Sequence, residues 1–190
     1  MQAWVYDLSQ RMLGASRSDR RLRELLDVDP APRVVLDVGG GTGISEPLAP
    51  RESLYICFDL DATRLAHFVA THPGREAICG DAAHLPIATG AVDLMLCRGV
   101  FHHLDTGSLK KLLNEAHRVL SARGSMVWLE PVWSPRWLPG RVLWQVDQGS
   151  HPRTEDELRT LIEAGFEIDN WQDHAIYHRY ALGSARPRRS

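Results

Sequence analysis

A run of β-branched residues that opens directly onto glycines constrains this chain more than any other feature. Residues 34–43 read VVLDVGGGTG. Val34–Val38 has the composition of a buried strand, and Gly39, Gly41 and Gly43 stand where the chain must leave it in a tight turn. Glycine adopts positive φ freely and, lacking Cβ, lets a ligand approach the backbone. The spacing predicts strand, glycine loop, then helix, with a ligand at the carboxyl end of the strand. Two common ligands fit poorly. A dinucleotide loop of the form G-x-G-x-x-G needs a small residue at position 44, where Ile44 stands. A phosphate loop ends in Gly-Lys-Ser/Thr, whereas Gly43 is followed by Ile44-Ser45. Asp37, just ahead of the glycines, suits a cationic or amino-bearing ligand and disfavours a pyrophosphate. The loop fits a nucleoside with an amino-acid tail better than a dinucleotide.

The rest of the chain alternates short apolar runs with helical stripes. Strands are expected at Arg33–Val38, Leu54–Phe58, Glu76–Cys79, Val92–Cys97 and Ser125–Leu129. Near-continuous apolar strands are what a parallel sheet covered on both faces requires. Leu65, Ala66, Phe68 and Val69 form one helical stripe. Leu109, Leu112, Leu113, Ala116 and Leu120 form another, with Ser121–Gly124 ending it. Thr154-Glu-Asp-Glu157 is a capping-box pattern that starts a third helix, stopped by Gly165. Ile168–Tyr177 and Tyr180–Ser184 are expected to close the sheet as a pair of strands. The N-terminal stripes Trp4, Leu8, Met12 and Leu22, Leu25, Leu26 predict two helices broken near Gly14. Pro131–Arg153 is long for a connection and carries Trp133, Trp137 and Trp144, so a short helix is expected within it.

A chain of 190 residues reads as one domain. Its parts are a helical segment over 1–30, a ligand-binding core over 33–130, a substrate-side loop over 131–153, and a closing helix with two strands over 154–186. The formal net charge of −2 argues against a polybasic nucleic-acid surface. No apolar run reaches the ~18 residues of a spanning helix. The first residues lack the pattern of a signal peptide. Three scattered cysteines make neither a disulfide framework nor a zinc site, so no metal is expected and a reducing, cytoplasmic compartment is.

Four motifs in order carry a family resemblance: Asp37-Val-Gly-Gly-Gly-Thr-Gly43; Phe58-Asp59-Leu60-Asp61; Gly80-Asp-Ala-Ala-His-Leu-Pro86 with Ala91-Val-Asp93; and Phe101-His-His-Leu104 with His117-Arg-Val-Leu120, Gly124 and Glu130-Pro131. Over about residues 33–131 the chain resembles the class I S-adenosylmethionine-dependent methyltransferases, and more narrowly the small-molecule branch that includes the quinone-biosynthesis enzymes. The resemblance implies a Rossmann-like, doubly wound, seven-stranded and mostly parallel α/β sheet with helices on both faces and the last strand antiparallel. It implies S-adenosylmethionine as cofactor, S-adenosylhomocysteine as product and a small-molecule acceptor. Asp37 would lie near the methionine amino group, and Gly39, Gly41 and Gly43 would line the methionine and ribose. Asp59 would accept the ribose hydroxyls, Leu60 would pack on the adenine, Asp81 and Ala82 would meet the adenine amino group, and Arg98 would add backbone contacts near the methionine. No Asn/Asp-Pro-Pro-Tyr/Phe segment follows the fourth strand, where enzymes that methylate a flipped base carry it. The alternative function is a non-catalytic nucleoside-binding module or regulatory partner subunit.

Acceptor-side residues are less defined. His102 and His103 follow the fourth strand, and an imidazole there could take a proton from a hydroxyl nucleophile. His103 and Glu130 are the candidate catalytic pair, although Glu130 could instead hold the following loop. Trp133 and Trp137, with His151 and Arg153, are candidate substrate contacts. The tryptophans could equally pack the loop, face a membrane or make a homodimer patch. Asp59 and Asp81 could be loop acids or caps, and Asp61 reads as an N-cap. Cys57, Cys79 and Cys97 read as small buried hydrophobes. His67, His72, His117, His174 and His178 read as surface or helix-face residues.

Overall fold

The computed structural model describes residues 15–26, 30–135, 137, 144, 151–176 and 178–188. In chain order these form α1 (Ala15–Leu26), β1 (Val34–Val38), β2 (Leu54–Asp59), α2 (Ala62–Thr71), β3 (Glu76–Cys79), β4 (Val92–Arg98), α3 (Thr106–Val119), β5 (Leu120–Val132), α4 (Glu155–Glu163), β6 (Phe166–Ala175) and β7 (Arg179–Pro187). The seven strands make one sheet in the order β3-β2-β1-β4-β5-β7-β6. The first five run parallel, and β7 enters between β5 and β6 antiparallel to both. The sheet is Rossmann-like and doubly wound, and only the last strand is reversed, as expected.

Alternation along the strands sorts the core into two layers. Leu36, Val38, Phe58, Met95 and Trp128 join the layer under α3 and α4. Val35, Tyr55, Cys57, Leu94, Leu96 and Val127 join the layer under α1 and α2. Each fully buried leucine contributes roughly 1.5–3 kcal/mol. Asp61 caps α2 through the backbone N–H groups of Thr63 and Arg64, and Thr154 with Glu157 closes the capping box of α4. Of the α2 stripe only Leu65 and Phe68 are buried; Ala66 and Val69 face outward.

Two expectations about the crossovers fail. The glycine loop leads to a single 3-10 turn, Glu46–Leu48, rather than to an α-helix. Pro47 stands in that turn, and Pro50 forces Ala49 into extended backbone (φ −77°, ψ 150°), so the turn cannot propagate. The face left bare is covered by α1, whose Leu22, Leu25 and Leu26 pack in the same layer as Val35 and Leu94. Residues 121–124, expected to end α3, instead belong to β5, which begins at Leu120. Its register slips there, with Leu120 opposite Val92 and Ser125 opposite Leu94. The expected helix around Trp4–Met12 and the short helix within 131–153 fall on residues outside those described, apart from 131–135, 137, 144 and 151–153.

Candidate active site

The carboxyl ends of β1, β2, β3, β4 and β5 converge at one edge of the sheet, and they carry Asp37, Asp59, Asp81, Arg98 and Glu130. The glycine loop makes its turn with φ of +69° at Gly39, +56° at Gly41 and +86° at Gly43. The N–H groups of Gly39 and Gly40 donate to the Phe58 carbonyl at 2.7 and 3.1 Å, which ties the loop to β2. A Cβ at Gly43 would lie 2.4 Å from the Phe68 ring, so the loop packs tightly on α2. At Gly41, which is also buried, a Cβ would make only ordinary van der Waals contact, 3.7 Å from Arg64 and Asp59.

Gly40 was not singled out in the sequence, yet it is equally required. It has no positive φ, but a Cβ there would meet Cys57 Sγ at 2.7 Å and Asp37 Oδ2 at 2.8 Å. The signal was the unbroken Gly39-Gly40-Gly41 run.

Asp37 is almost completely buried, and the Tyr55 hydroxyl donates to its Oδ2. Its other oxygen, Oδ1, is buried with no hydrogen-bond partner among the described residues. Burial pushes the Asp37 carboxyl up to about 7, against the pull of the Tyr55 hydroxyl and the Arg98 charge. A buried carboxylate oxygen without a partner, at the base of a glycine turn, is what an ammonium-bearing ligand would satisfy.

Asp59 is buried and spends each oxygen on the backbone. Oδ2 accepts from the Gly41 N–H at 2.9 Å and Oδ1 from the Asp61 N–H at 2.8 Å. It therefore holds the loop while presenting its remaining lone pairs at the strand end. Leu60 beside it is 76% exposed, an apolar surface facing outward. Asp81 is exposed and accepts from the Ala83 N–H at 2.9 Å, and Ala82 packs partly against the core. The Arg98 side chain pairs with Asp19 of α1 at 2.8 Å, so α1 is tied to the end of β4.

Glu130 takes the role of holding the turn after β4. Its Oε2 accepts from the N–H groups of Val100 and Phe101, and its Oε1 accepts from the N–H of His102 at 2.8 Å and from His102 Nδ1 at 2.5 Å. With four donors on two buried oxygens, Glu130 is a positioning group, and its imidazole partner is His102 rather than His103. His102 is buried and His103 exposed, their rings 4.1 Å apart.

Arg153 is committed largely to backbone carbonyls. It is buried, and its guanidinium donates to the carbonyls of Phe101 and Leu104 at 2.7 Å each. It ties residues 101–104 to the N-terminal side of α4 and has few donors left for a substrate anion. His151 is exposed, with its N–H on the His102 carbonyl at 3.0 Å. Trp133 donates its N–H to the Arg153 carbonyl at 2.7 Å, and Trp137 its N–H to the Ser134 carbonyl at 3.1 Å.

Trp144 joins several aromatic rings. Its ring lies 5.7 Å from His102, 6.5 Å from Trp133 and 5.2 Å from His178. His174 and His178, expected on the surface, are buried beside Tyr180, and His174 shares a 3.0 Å hydrogen bond with Ser18 of α1. Helical or surface spacing gave no sign of this, because the β6-β7 hairpin brings them to the end of β5. Cys57 and Cys97 are buried as expected, but Cys79 is exposed on the edge strand β3.

Among the described residues no helix is long and apolar enough to cross a membrane. A family model described as a methyltransferase domain matches residues 35–124. The chain is 24% identical over 160 residues to flavonoid 3'-O-methyltransferase 3 of Mentha piperita, covering 78% of this chain and 43% of that protein. It is 28% identical over 153 residues to the chloroplastic 2-methyl-6-phytyl-1,4-hydroquinone methyltransferase of Spinacia oleracea, covering 76% and 42%. The chain thus spans less than half the length of these curated relatives. Its fold is similar to that of geranyl diphosphate C-methyltransferase from Streptomyces coelicolor A3(2), solved with Mg2+, geranyl diphosphate and S-adenosyl-L-homocysteine, at a TM-score of 0.73 and 18% identity over 92% of this chain and 81% of that one. Residues 35–124 thus match a methyltransferase domain, on a seven-stranded sheet whose fold is similar to that of a solved methyltransferase.

Proposed function

We propose that this chain transfers a methyl group from S-adenosylmethionine to a small, partly apolar molecule. The observation that carries the reading is Oδ1 of Asp37, buried with no hydrogen-bond partner among the described residues, on a carboxylate whose other oxygen abuts Gly40 of the glycine turn. Bound S-adenosylmethionine supplies an electrophilic methyl group on its sulfonium sulfur. Asp37 would accept from the ligand's amino group, and Gly39, Gly41 and Gly43 would let it approach the backbone. Asp59 would accept from the ribose hydroxyls. Exposed Leu60, with Asp81 and Ala82, would meet the adenine, and the backbone at Arg98 would flank the methionine.

Trp133 and Trp144 would wall the acceptor and exclude water, with His151 and Trp137 on the same loop. Holding nucleophile and methyl in near-attack geometry supplies most of the acceleration in such a displacement. Where the nucleophile arrives protonated, His102 is the better placed base. Glu130 accepts from its Nδ1, which puts the acceptor lone pair of the neutral ring on Nε2. His103, exposed beside it, is the second candidate.

The test is calorimetric titration with S-adenosylhomocysteine and NAD, followed by incubation with methyl-labelled S-adenosylmethionine and fractionated cell extract. Tight binding of S-adenosylhomocysteine, and label passing into small molecules, is expected. NAD binding more tightly would overturn the cofactor. Cofactor binding with no transfer to any fraction would favour the non-catalytic module.

A further inference from the structure

Tyr55 is the second residue of β2 and is completely buried, yet its hydroxyl reaches out of its own strand to Asp37 on β1. The register explains how. Tyr55 pairs with Val35, and Asp37 pairs with Cys57, so Tyr55 and Asp37 are diagonal neighbours on the same face of the sheet. Phe68 packs on one side of the phenol ring at 6.0 Å, and the Arg75 guanidinium stands 5.8 Å from its centroid. Arg75 is itself held by Glu46 at 2.7 Å. The ring therefore has no freedom to swing the hydroxyl elsewhere. A buried phenol needs a partner, but a buried carboxylate is a costly one to supply for that purpose alone.

We propose that Tyr55 is a positioning residue of the cofactor site: its hydroxyl anchors Oδ2 of Asp37 and thereby leaves Oδ1 as the single acceptor for the ligand's ammonium group. This rests on the cofactor reading above. The absence of a side chain at Gly40 completes the arrangement, since a Cβ there would strike the anchored oxygen. The consequence is a proton-linked site. In the free protein the carboxyl, pushed up to about 7 by burial, is shared between its neutral and ionised forms near neutral pH. On binding, Asp37 gives its proton to solvent and the resulting carboxylate pairs with the ammonium group, so charge and protons balance.

Among the described residues the titratable groups near Asp37 lie on β2 and β4. Tyr55, Cys57 and Asp59 belong to β2, and Cys97 and Arg98 to β4, the latter paired with Asp19 of α1. Burial and the neighbouring carboxylates push both thiols up, so they stay neutral at these pH values. Asp37 is the group whose charge changes near pH 7.

The experiment is calorimetry with S-adenosylhomocysteine in buffers of different ionisation enthalpy, on the wild type and on Tyr55→Phe. A carbon-13 titration of the Asp37 carboxyl in the free proteins accompanies it. The wild type is expected to release about half a proton per ligand at pH 7, as a group titrating there must. Tyr55→Phe removes a hydrogen bond that favours the carboxylate. Its Asp37 midpoint should rise, its proton release should approach one, and its affinity should fall at pH 6–7 and recover toward pH 8. Incorporation of 3-fluorotyrosine keeps the ring and makes the hydroxyl a better donor, so it should move the midpoint down, and it serves if the phenylalanine variant does not fold. Binding without linked protons, or a Tyr55→Phe loss that is equal at every pH, would make Tyr55 a packing residue and overturn the inference alone. No binding of S-adenosylhomocysteine by the wild type would overturn the cofactor reading and this inference with it.

Discussion

Glu130 Oε1 lies 2.5 Å from His102 Nδ1, and the same carboxylate gathers three successive backbone N–H groups of the turn after β4. One side chain from β5 thus sets both the path of the turn and the orientation of the imidazole on it. Glu130→Gln keeps the shape but replaces an acceptor oxygen with a donor facing N–H groups. A buried donor left without a partner costs about 1–3 kcal/mol. Thermal unfolding should show a lowered Tm, and methyl transfer should fall with it. An unchanged Tm would mean that the turn holds itself.

Asp59 is a second carboxylate with a divided task, since it anchors Gly41 and Asp61 before any ligand arrives. Asp59→Ala should weaken S-adenosylhomocysteine binding by about 1.5–3 kcal/mol and lower the Tm as well. Asp59→Asn retains an acceptor for one of the two N–H groups, so it should restore more of the Tm than of the affinity. Titration and melting of both variants check this. Unchanged affinity in the folded fraction would remove Asp59 from the ribose.

Gly40→Ala puts a methyl 2.7 Å from Cys57 Sγ and 2.8 Å from Asp37 Oδ2. Overpacking of this kind costs about 1–3 kcal/mol, and here it also displaces the carboxylate that the ligand needs. Cys57→Ala in the same chain removes the sulfur and should recover part of the stability. Denaturant unfolding of the single and double variants measures the coupling, and strict additivity would argue that the loop simply moves aside.

The charge of Asp37 should cost stability. Its folded pKa is raised from 3.8 to about 7, so the folded state binds the proton more tightly than the unfolded chain. The contribution is fully present below about pH 4 and is lost as pH rises to about 7, after which it is flat. Asp37→Asn should erase that slope and stabilise the fold at pH 8, seen as a raised Tm, by on the order of 4 kcal/mol at most, while binding of S-adenosylhomocysteine is lost. Parallel melting curves from pH 4 to 8 decide it. Equal pH dependence in the two proteins would show that Asp37 does not carry it.

Trp144 packs near the rings of His102, Trp133 and His178, whereas Phe68, against the glycine loop, stacks on His72. Trp144→Ala and Trp133→Ala should leave cofactor affinity within about twofold and reduce acceptor turnover, since apolar wall contributes about 25 cal/mol per Å² covered. Equal losses in affinity, Tm and turnover would mark these residues as packing for the whole sheet edge.

The local pattern of the sequence determined the sheet strands to within a few residues except for the start of β5, the caps at Asp61 and Thr154, and the glycine turn with Asp37 and Asp59 at adjoining strand ends. These features depend on near neighbours: alternation, φ at glycine, and a side-chain oxygen reaching the next turn. Tertiary structure decided what those neighbours could not. Pro47 and Pro50 stop the helix after the glycine loop, and α1 from the other end of the sequence covers the vacated face. Insertion of β7 between β5 and β6 buries His174 and His178 and sets Gly183 opposite Trp128, where a Cβ would lie 2.3 Å from the indole. Arg153 meets carbonyls of residues 101 and 104, Glu130 meets the turn after another strand, and Tyr55 meets Asp37 across a parallel pair. Each is a buried polar group whose partner lies far away in sequence. Burial makes such a partner obligatory, but only the crossovers decide which residue supplies it.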